Sequence, residues 1–239
     1  VIATHIPLGF KVLSRGIIFM DLAIAQVAGL GALLVTVLIG EAAPPLLTQL
    51  GAVVLALGAA LLLMRTERWV PHYQEPIIGS LFVLAATAGL LILAGDPHAS
   101  EHMTDLLSGQ ILWVSREQLI TSGAITGVLL VALWVTRHSR EMFYALFAVA
   151  ITVSVQLVGV YLVFATLIIP ALATVRISTE RIRYRTAFLI AVVAYALGLA
   201  GSALLDLPSG PLIVWALAIC GVAPAVVEWK KRPHSFKRS

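Results

Sequence analysis

Uncharged apolar stretches of about twenty residues recur along the whole chain, and "LAIAQVAGLGALLVTVLIG" (22–40) is typical of them. Wound as a helix, such a stretch crosses a hydrocarbon core of roughly 30 Å. Lipid leaves the backbone little choice. An open strand cannot satisfy its N–H and C=O groups there, and the ten-residue alternation of a transmembrane barrel is missing from this sequence. Composition agrees: 60% of the 239 residues are hydrophobic, 12% are charged, and the mean hydropathy is +0.99, far from the soluble average. The expected fold is all-α, a polytopic transmembrane helical bundle.

Charges, prolines and glycines bound the apolar runs and place spans at about 17–39, 46–64, 77–95, 118–136, 143–171, 186–205 and 211–229. The chain opens at Val1 and only about a dozen residues precede Lys11 and Arg15, so a first span lacking its start brings the expectation to about eight. The whole of 1–239 then forms one transmembrane domain with no soluble domain. The single cysteine, Cys220, lies inside an apolar run, where packing is a simpler role than chemistry.

Lys and Arg concentrate at Lys11/Arg15, Arg65/Arg68, Arg137/Arg140, Arg176 to Arg185, and the tail 230–239, which are expected on the cytoplasmic side. The connections "GEAAPP", "GDPHASEHMTD" and "DLPSGP" hold neither residue and are expected outside. One segment breaks this alternation, because 141–172 is basic at both ends and a single crossing would put one end outside. The chain must turn back within it, and Gly159 supplies the permissive backbone position. Non-helical backbone at membrane depth is tolerated only inside protein or against a water-filled cavity, which is an arrangement a transport protein uses. The net charge of +4 follows this topology, and anionic lipid headgroups account for it without any nucleic acid.

Ionisable groups inside spans cost roughly 2.5–3.5 kcal/mol on insertion scales and usually carry a role. Asp21 stands out, with two readings open: a group on an ion path, or a partner for Arg15 or Lys11 near the cytoplasmic boundary. Gln26 lies five residues on, some 140° round an ideal helix, so the two share a cavity only if the helix is distorted. Gln156 fits a path-lining role or an interhelical hydrogen bond equally well. The four-residue pairs Ala25/Gly29, Ala28/Ala32 and Gly198/Ser202 mark close helix packing.

Four stretches, "VLSRGIIFMDLAIAQVAGLGA" (12–32), "LLSGQILWVSREQL" (106–119), "VQLVGVYLVFATLIIPALAT" (155–174) and "GLAGSALLDLPSGPLIV" (198–214), occur in order across nearly the whole chain. Together they resemble the membrane permeases of zinc and manganese ABC importers. The resemblance implies a homodimer of permease subunits, a cytoplasmic ATPase on each copy that binds the ATP, and an extracytoplasmic metal-binding protein that delivers the ion. It implies a protein of the bacterial-type cytoplasmic membrane that is not itself an enzyme, and the sequence has no G-x-x-x-x-G-K-[ST] phosphate loop. It also implies that the stretch after Pro170, about 172–185, forms the coupling helix seated on the ATPase, with Arg176, Glu180, Arg181, Arg183 and Arg185 as its charged contacts. The likeness fails at one place. The family follows its membrane aspartate with a histidine four residues later and then a proline-glycine pair, whereas Asp21 is followed by Ala25 and Gln26. A carboxylate with an amide is a harder, weaker donor set than a carboxylate with imidazole.

His98-x-x-Glu101-His102, on the outer side by the charge argument, offers other donors. His98 and His102 stand at i and i+4 with Glu101 at i+3, so all three can meet one ion, for which zinc is well suited and manganese or ferrous iron are alternatives. A second reading makes the segment the polar start of an interfacial helix, with Pro97, Glu101 and Asp105 favouring its positive end. A third makes it an inverted zincin and the chain a membrane-embedded zinc metalloprotease. That needs a third ligand, and the one downstream external carboxylate, Asp206 in "DLPSGP", reads better as a turn residue. A proton-coupled secondary carrier relaying protons through Asp21 is a further alternative. His72 reads as a cytoplasmic surface residue, and His5 as core or interface packing.

Overall fold

The computed structural model describes residues 1–40, 43–93, 114–136 and 139–230. Among them every regular element is helical: α1 (Ile2–Arg15), α2 (Met20–Ile39), α3 (Pro45–Trp69), α4 (Gln74–Ile92), α5 (Arg116–Val135), α6 (Arg140–Val158), α7 (Val160–Thr174), α8 (Glu180–Leu205) and α9 (Ser209–Lys230), with one 3-10 turn at Pro71–Tyr73. Five stretches, in α2, α3, α5, α6 and α8, are long and apolar enough to cross a membrane.

Local sequence explains where these helices begin and end. Ser115 accepts from the Gln118 N–H at 3.2 Å while Gln118 Oε1 accepts from the Ser115 N–H at 2.9 Å, a reciprocal cap that starts α5. Ser139 caps α6 through the Met142 N–H, and Pro45 stands in the first turn of α3, where its missing N–H costs nothing. Asp206 ends α8 in the left-handed conformation, φ 52° and ψ 44°, the turn role its sequence context indicated. The expected spans agree with the helices to within a few residues, except that α3 runs on past 64 through Arg65 and Arg68 and α8 starts at Glu180, before the expected 186.

The bundle has two sides meeting at its centre. On one, α2 packs on α3, α4 and α6; on the other, α7 packs on α1, α8 and α9. Most of α7 is buried. Glycines permit the closest crossings: Gly9 of α1 faces the Leu167 backbone of α7, Gly31 of α2 faces the Gly51 backbone of α3, and Gly198 of α8 faces the Ile213 backbone of α9. The expected Gly198/Ser202 pair does lie at a close contact, and both residues are buried. Large apolar side chains cover the outside, including Val54, Leu61, Leu84, Val131, Leu189 and Leu197. In water such a surface would aggregate; in a bilayer it is the lipid-facing surface.

Polar contacts collect at one end, where the basic clusters lie. Tyr144 Oη donates to Glu67 Oε2 at 2.9 Å and Arg68 pairs with Glu141, tying α3 to the start of α6. The Arg15 guanidinium sits 4.1 Å from the Phe143 ring centroid. Exposed Trp69, Tyr73 and Trp134 lie at this end, as interfacial aromatics do.

These contacts fix the path of 140–174. The start of α6 is at the basic end, held by Arg68. The end of α7 is there too, because only residues 175–179 separate it from α8. The first turns of α8 lie against the C-terminal half of α1, with Phe10 and Tyr184 at 4.6 Å between ring centroids. The chain therefore goes out along α6 and returns along α7, and the corner is Gly159 at φ 79°, ψ 163°. The two pieces are a 19-residue helix and a 15-residue one.

Candidate functional site

The site is built on the elbow between α1 and α2. Gly16, at φ 69° and ψ 26°, caps α1 in the left-handed conformation that glycine adopts without a side-chain penalty. The Ile17 N–H reaches the Val12 carbonyl at 3.4 Å. The next amide, Ile18 N–H, donates to Glu75 Oε1 at 2.7 Å, so the first turn of α4 holds the elbow from across the bundle. Three residues later Asp21 sits in the first turn of α2.

Asp21 is 1% exposed, and neither carboxylate oxygen has a hydrogen-bond partner. Of its two readings, the pairing with a boundary cation is not what the fold adopts. Arg15 lies over the Phe143 and Tyr144 rings and Lys11 lies 5.8 Å from the Phe143 centroid, so both cations are engaged with aromatic faces. A buried carboxyl without donors costs several kcal/mol, partly offset by its place near the positive end of α2.

The other predicted residues are dispersed. Ala25, one turn along from Asp21 at the family's histidine position, is buried, and Gln26 is half-buried. Gln156 is exposed, three residues before the Gly159 corner. His98, Glu101 and His102 lie outside the described residues, so their three readings stay as the sequence leaves them. Among the described residues no group of three or more His, Cys, Asp or Glu side chains is placed to hold a metal ion. His72 is exposed, as expected. His5 is fully buried in α1; its Nδ1 lies 3.0 Å from the Val1 carbonyl and its Nε2 has no partner.

The segment 172–185 contributes no helix of its own. Residues 172–174 are the last of α7, 175–179 form a turn, and 180–185 begin α8. The Thr179 backbone is extended, which breaks the helical register between α7 and α8. Arg176, Glu180, Arg181 and Arg185 are exposed there, while Arg183 lies over the Phe10 ring at 5.0 Å.

The residue that sequence reasoning missed is Glu75. An acidic residue between Gln74 and Pro76 marks the start of a helix, and that much was readable. Its hydrogen bond to a backbone amide 57 residues away leaves no local trace.

A helical bundle with a lipid-facing apolar surface, a central helix pair turning at a glycine corner, and a buried acid without a counter-ion defines an integral membrane protein. The chain belongs to the ABC 3 transport family, whose model matches residues 2–140 and 136–227, and it is accordingly a protein of the bacterial inner membrane. It is similar to a "probable metal transport system membrane protein" of Chlamydia muridarum (strain MoPn / Nigg), 24% identical over 192 residues that make up 71% of this chain and 65% of that protein. A protein of the same description from Chlamydia trachomatis serovar D is 26% identical over 187 residues, 68% of this chain and 63% of that one. The chain thus spans just under two thirds of the length of these curated relatives. Among solved structures, PsaBC from Streptococcus pneumoniae in complex with Fab has the same fold, with a TM-score of 0.72 at 18% identity over 94% of this chain and 86% of that chain.

Proposed function

We propose that this chain is the permease subunit of an ATP-driven importer for a divalent transition-metal ion, zinc or manganese. Two copies form the path, separate cytoplasmic ATPase subunits bind and hydrolyse ATP, and an extracytoplasmic binding protein delivers the ion. The observation that carries this reading is Asp21, a carboxyl buried in the bundle with both oxygens free of protein donors. A divalent cation in transit supplies the charge that the fold leaves out. Membership of the transport family, and the likeness to proteins described as parts of metal transport systems, support the class of solute.

Asp21 offers oxygen donors, which suit manganese better than zinc, while Gln26, some 140° round the regular helix α2, lies apart from it. Gln156, exposed on the single chain, joins such a path where a second copy covers it. His98, Glu101 and His102 gather ions at the outer mouth. The ATPase seats on the helix–turn–helix at 172–185, where Arg176, Glu180, Arg181, Arg183 and Arg185 transmit its closure into α7 and α8.

Reconstitution in vesicles with the ATPase partner tests the reading. Asp21→Asn, which keeps the volume and removes the charge, lowers ATP-dependent uptake of labelled manganese or zinc at least about tenfold, the loss expected when a buried ion loses its one charged partner. Uptake that needs no ATP and follows a proton gradient would overturn the proposal in favour of a carrier. Unchanged uptake in His98→Ala/His102→Ala would remove the entrance site alone.

A further inference from the structure

Between α1 and the first half of α8 a groove of about 630 Å³ opens onto the lipid-facing surface. Ile6 and Pro7 of α1 form one wall, and Phe188, Leu189 and Val192 of α8 form the other. It is an open groove rather than an enclosed cavity. From Tyr184 to Val192 it runs about 12 Å along α8 at 1.5 Å per residue. That direction is across the bilayer, from the basic end toward the midplane.

The two ends differ in chemistry. The interior wall is apolar, whereas the mouth carries Tyr184 and Arg185. Arg183 stands beside it, with its guanidinium over Phe10, the ring that also packs on Tyr184. The Nε of Arg183 is buried and has no hydrogen-bond partner. Arg181 and Arg185 are four residues apart and share one helix face. Glu180 is the only acid in this stretch. At the basic end α1 and α8 close on each other through Phe10 and Tyr184, so the groove is open along its length and stopped at that end. An apolar slot aligned with the membrane normal, with Arg185 at its aqueous end, matches a tailed anion.

We propose that the groove holds one acyl chain of an anionic phospholipid of the cytoplasmic leaflet, with its phosphate on Arg185. The bond is electrostatic at the head and apolar along the tail. Arginine near the surface supplies the preference for anionic headgroups, and the α1–α8 gap supplies the tail site.

Native mass spectrometry of the purified full chain in detergent containing equal phosphatidylglycerol and phosphatidylcholine tests this. Wild type retains one phosphatidylglycerol in preference to phosphatidylcholine by about fivefold or more, the factor one arginine at a membrane surface contributes. Arg185→Gln brings the two lipids to near parity. Leu189→Trp, which fills the slot, removes the tightly held lipid of either class while helicity and elution volume stay as in wild type. Equal retention of both lipids by wild type, or phosphatidylglycerol retention unchanged in Arg185→Gln, would overturn the proposal. So would a photo-crosslinker at position 189 that captures a second copy of the chain in place of lipid.

Discussion

Gly159→Ala puts the central corner to the test. Gly159 holds φ 79° and ψ 163°, a region open essentially to glycine alone, where a side chain costs of the order of 1–3 kcal/mol. The chain can escape that strain only by letting α6 and α7 fuse. A continuous helix from Arg140 to Thr174 would be a rod of roughly 50 Å, against a hydrocarbon core of roughly 30 Å. Fusion would then either carry the basic turn at 175–179 across the membrane or draw Arg140 and Glu141 into it. On insertion scales each buried charge costs roughly 2.5–3.5 kcal/mol, so fusion loses to strain and the corner holds. The variant is therefore expected to keep its topology and lose about 1–3 kcal/mol of stability. In thermal unfolding followed in detergent this is a fall of roughly 2–12 °C for a chain of this size. Gly58→Ala is the control, because a Cβ there meets nothing within 4 Å and alanine favours helix by about 0.5–1 kcal/mol. Labelling a cysteine placed at position 176 from each side of the membrane reports topology. An unchanged midpoint in Gly159→Ala, or a label that switches sides, would refute the reasoning.

The α2–α3 crossing gives a second expectation. A Cβ on Gly31 would lie 2.5 Å from the Gly51 carbonyl oxygen and 3.1 Å from Ala52 Cα, so Gly31→Ala forces two backbones apart and costs about 1–3 kcal/mol, read as a lower unfolding midpoint than that of Gly58→Ala. The elbow gives a third. Burial lifts the Glu75 carboxyl above its ordinary value, and the Ile18 N–H pulls it part of the way back. A carboxyl whose folded pKa exceeds its unfolded one binds its proton more tightly when folded, so its contribution is present at low pH and is lost as pH rises through the folded value. Glu75→Gln keeps an acceptor for Ile18 and abolishes that slope in unfolding midpoints measured across the carboxylate range. Glu75→Ala leaves the Ile18 N–H unpaired and costs about 1–3 kcal/mol at every pH; equal pH slopes in wild type and Glu75→Gln would refute the effect of burial, and an unchanged midpoint in Glu75→Ala would show that the bond is immaterial.

What the sequence disclosed and what it hid divide by the range of the interaction. The helices were legible because apolar length and charge spacing are local quantities set against a fixed bilayer thickness. The corner at Gly159 was legible for a related reason, since basic residues at both ends of 141–172 allow no single crossing. Gln156 could not be placed, because its span is apolar on all faces and period alone does not distinguish core from lipid. The latch from Glu75 to Ile18 was equally hidden, since one backbone amide looks like another in sequence. Asp21 lies between these cases. Its cost in hydrocarbon was readable, but whether a cation met that cost depended on where Arg15 and Lys11 turned. They turn to the Phe143 ring, a choice made by packing at the start of α6. The carboxyl is left buried with no cation beside it. A residue kept only for packing would be better as leucine or asparagine at that position, so the buried carboxyl without a counter-ion is the observation behind the proposal that Asp21 lies on the path of a cation.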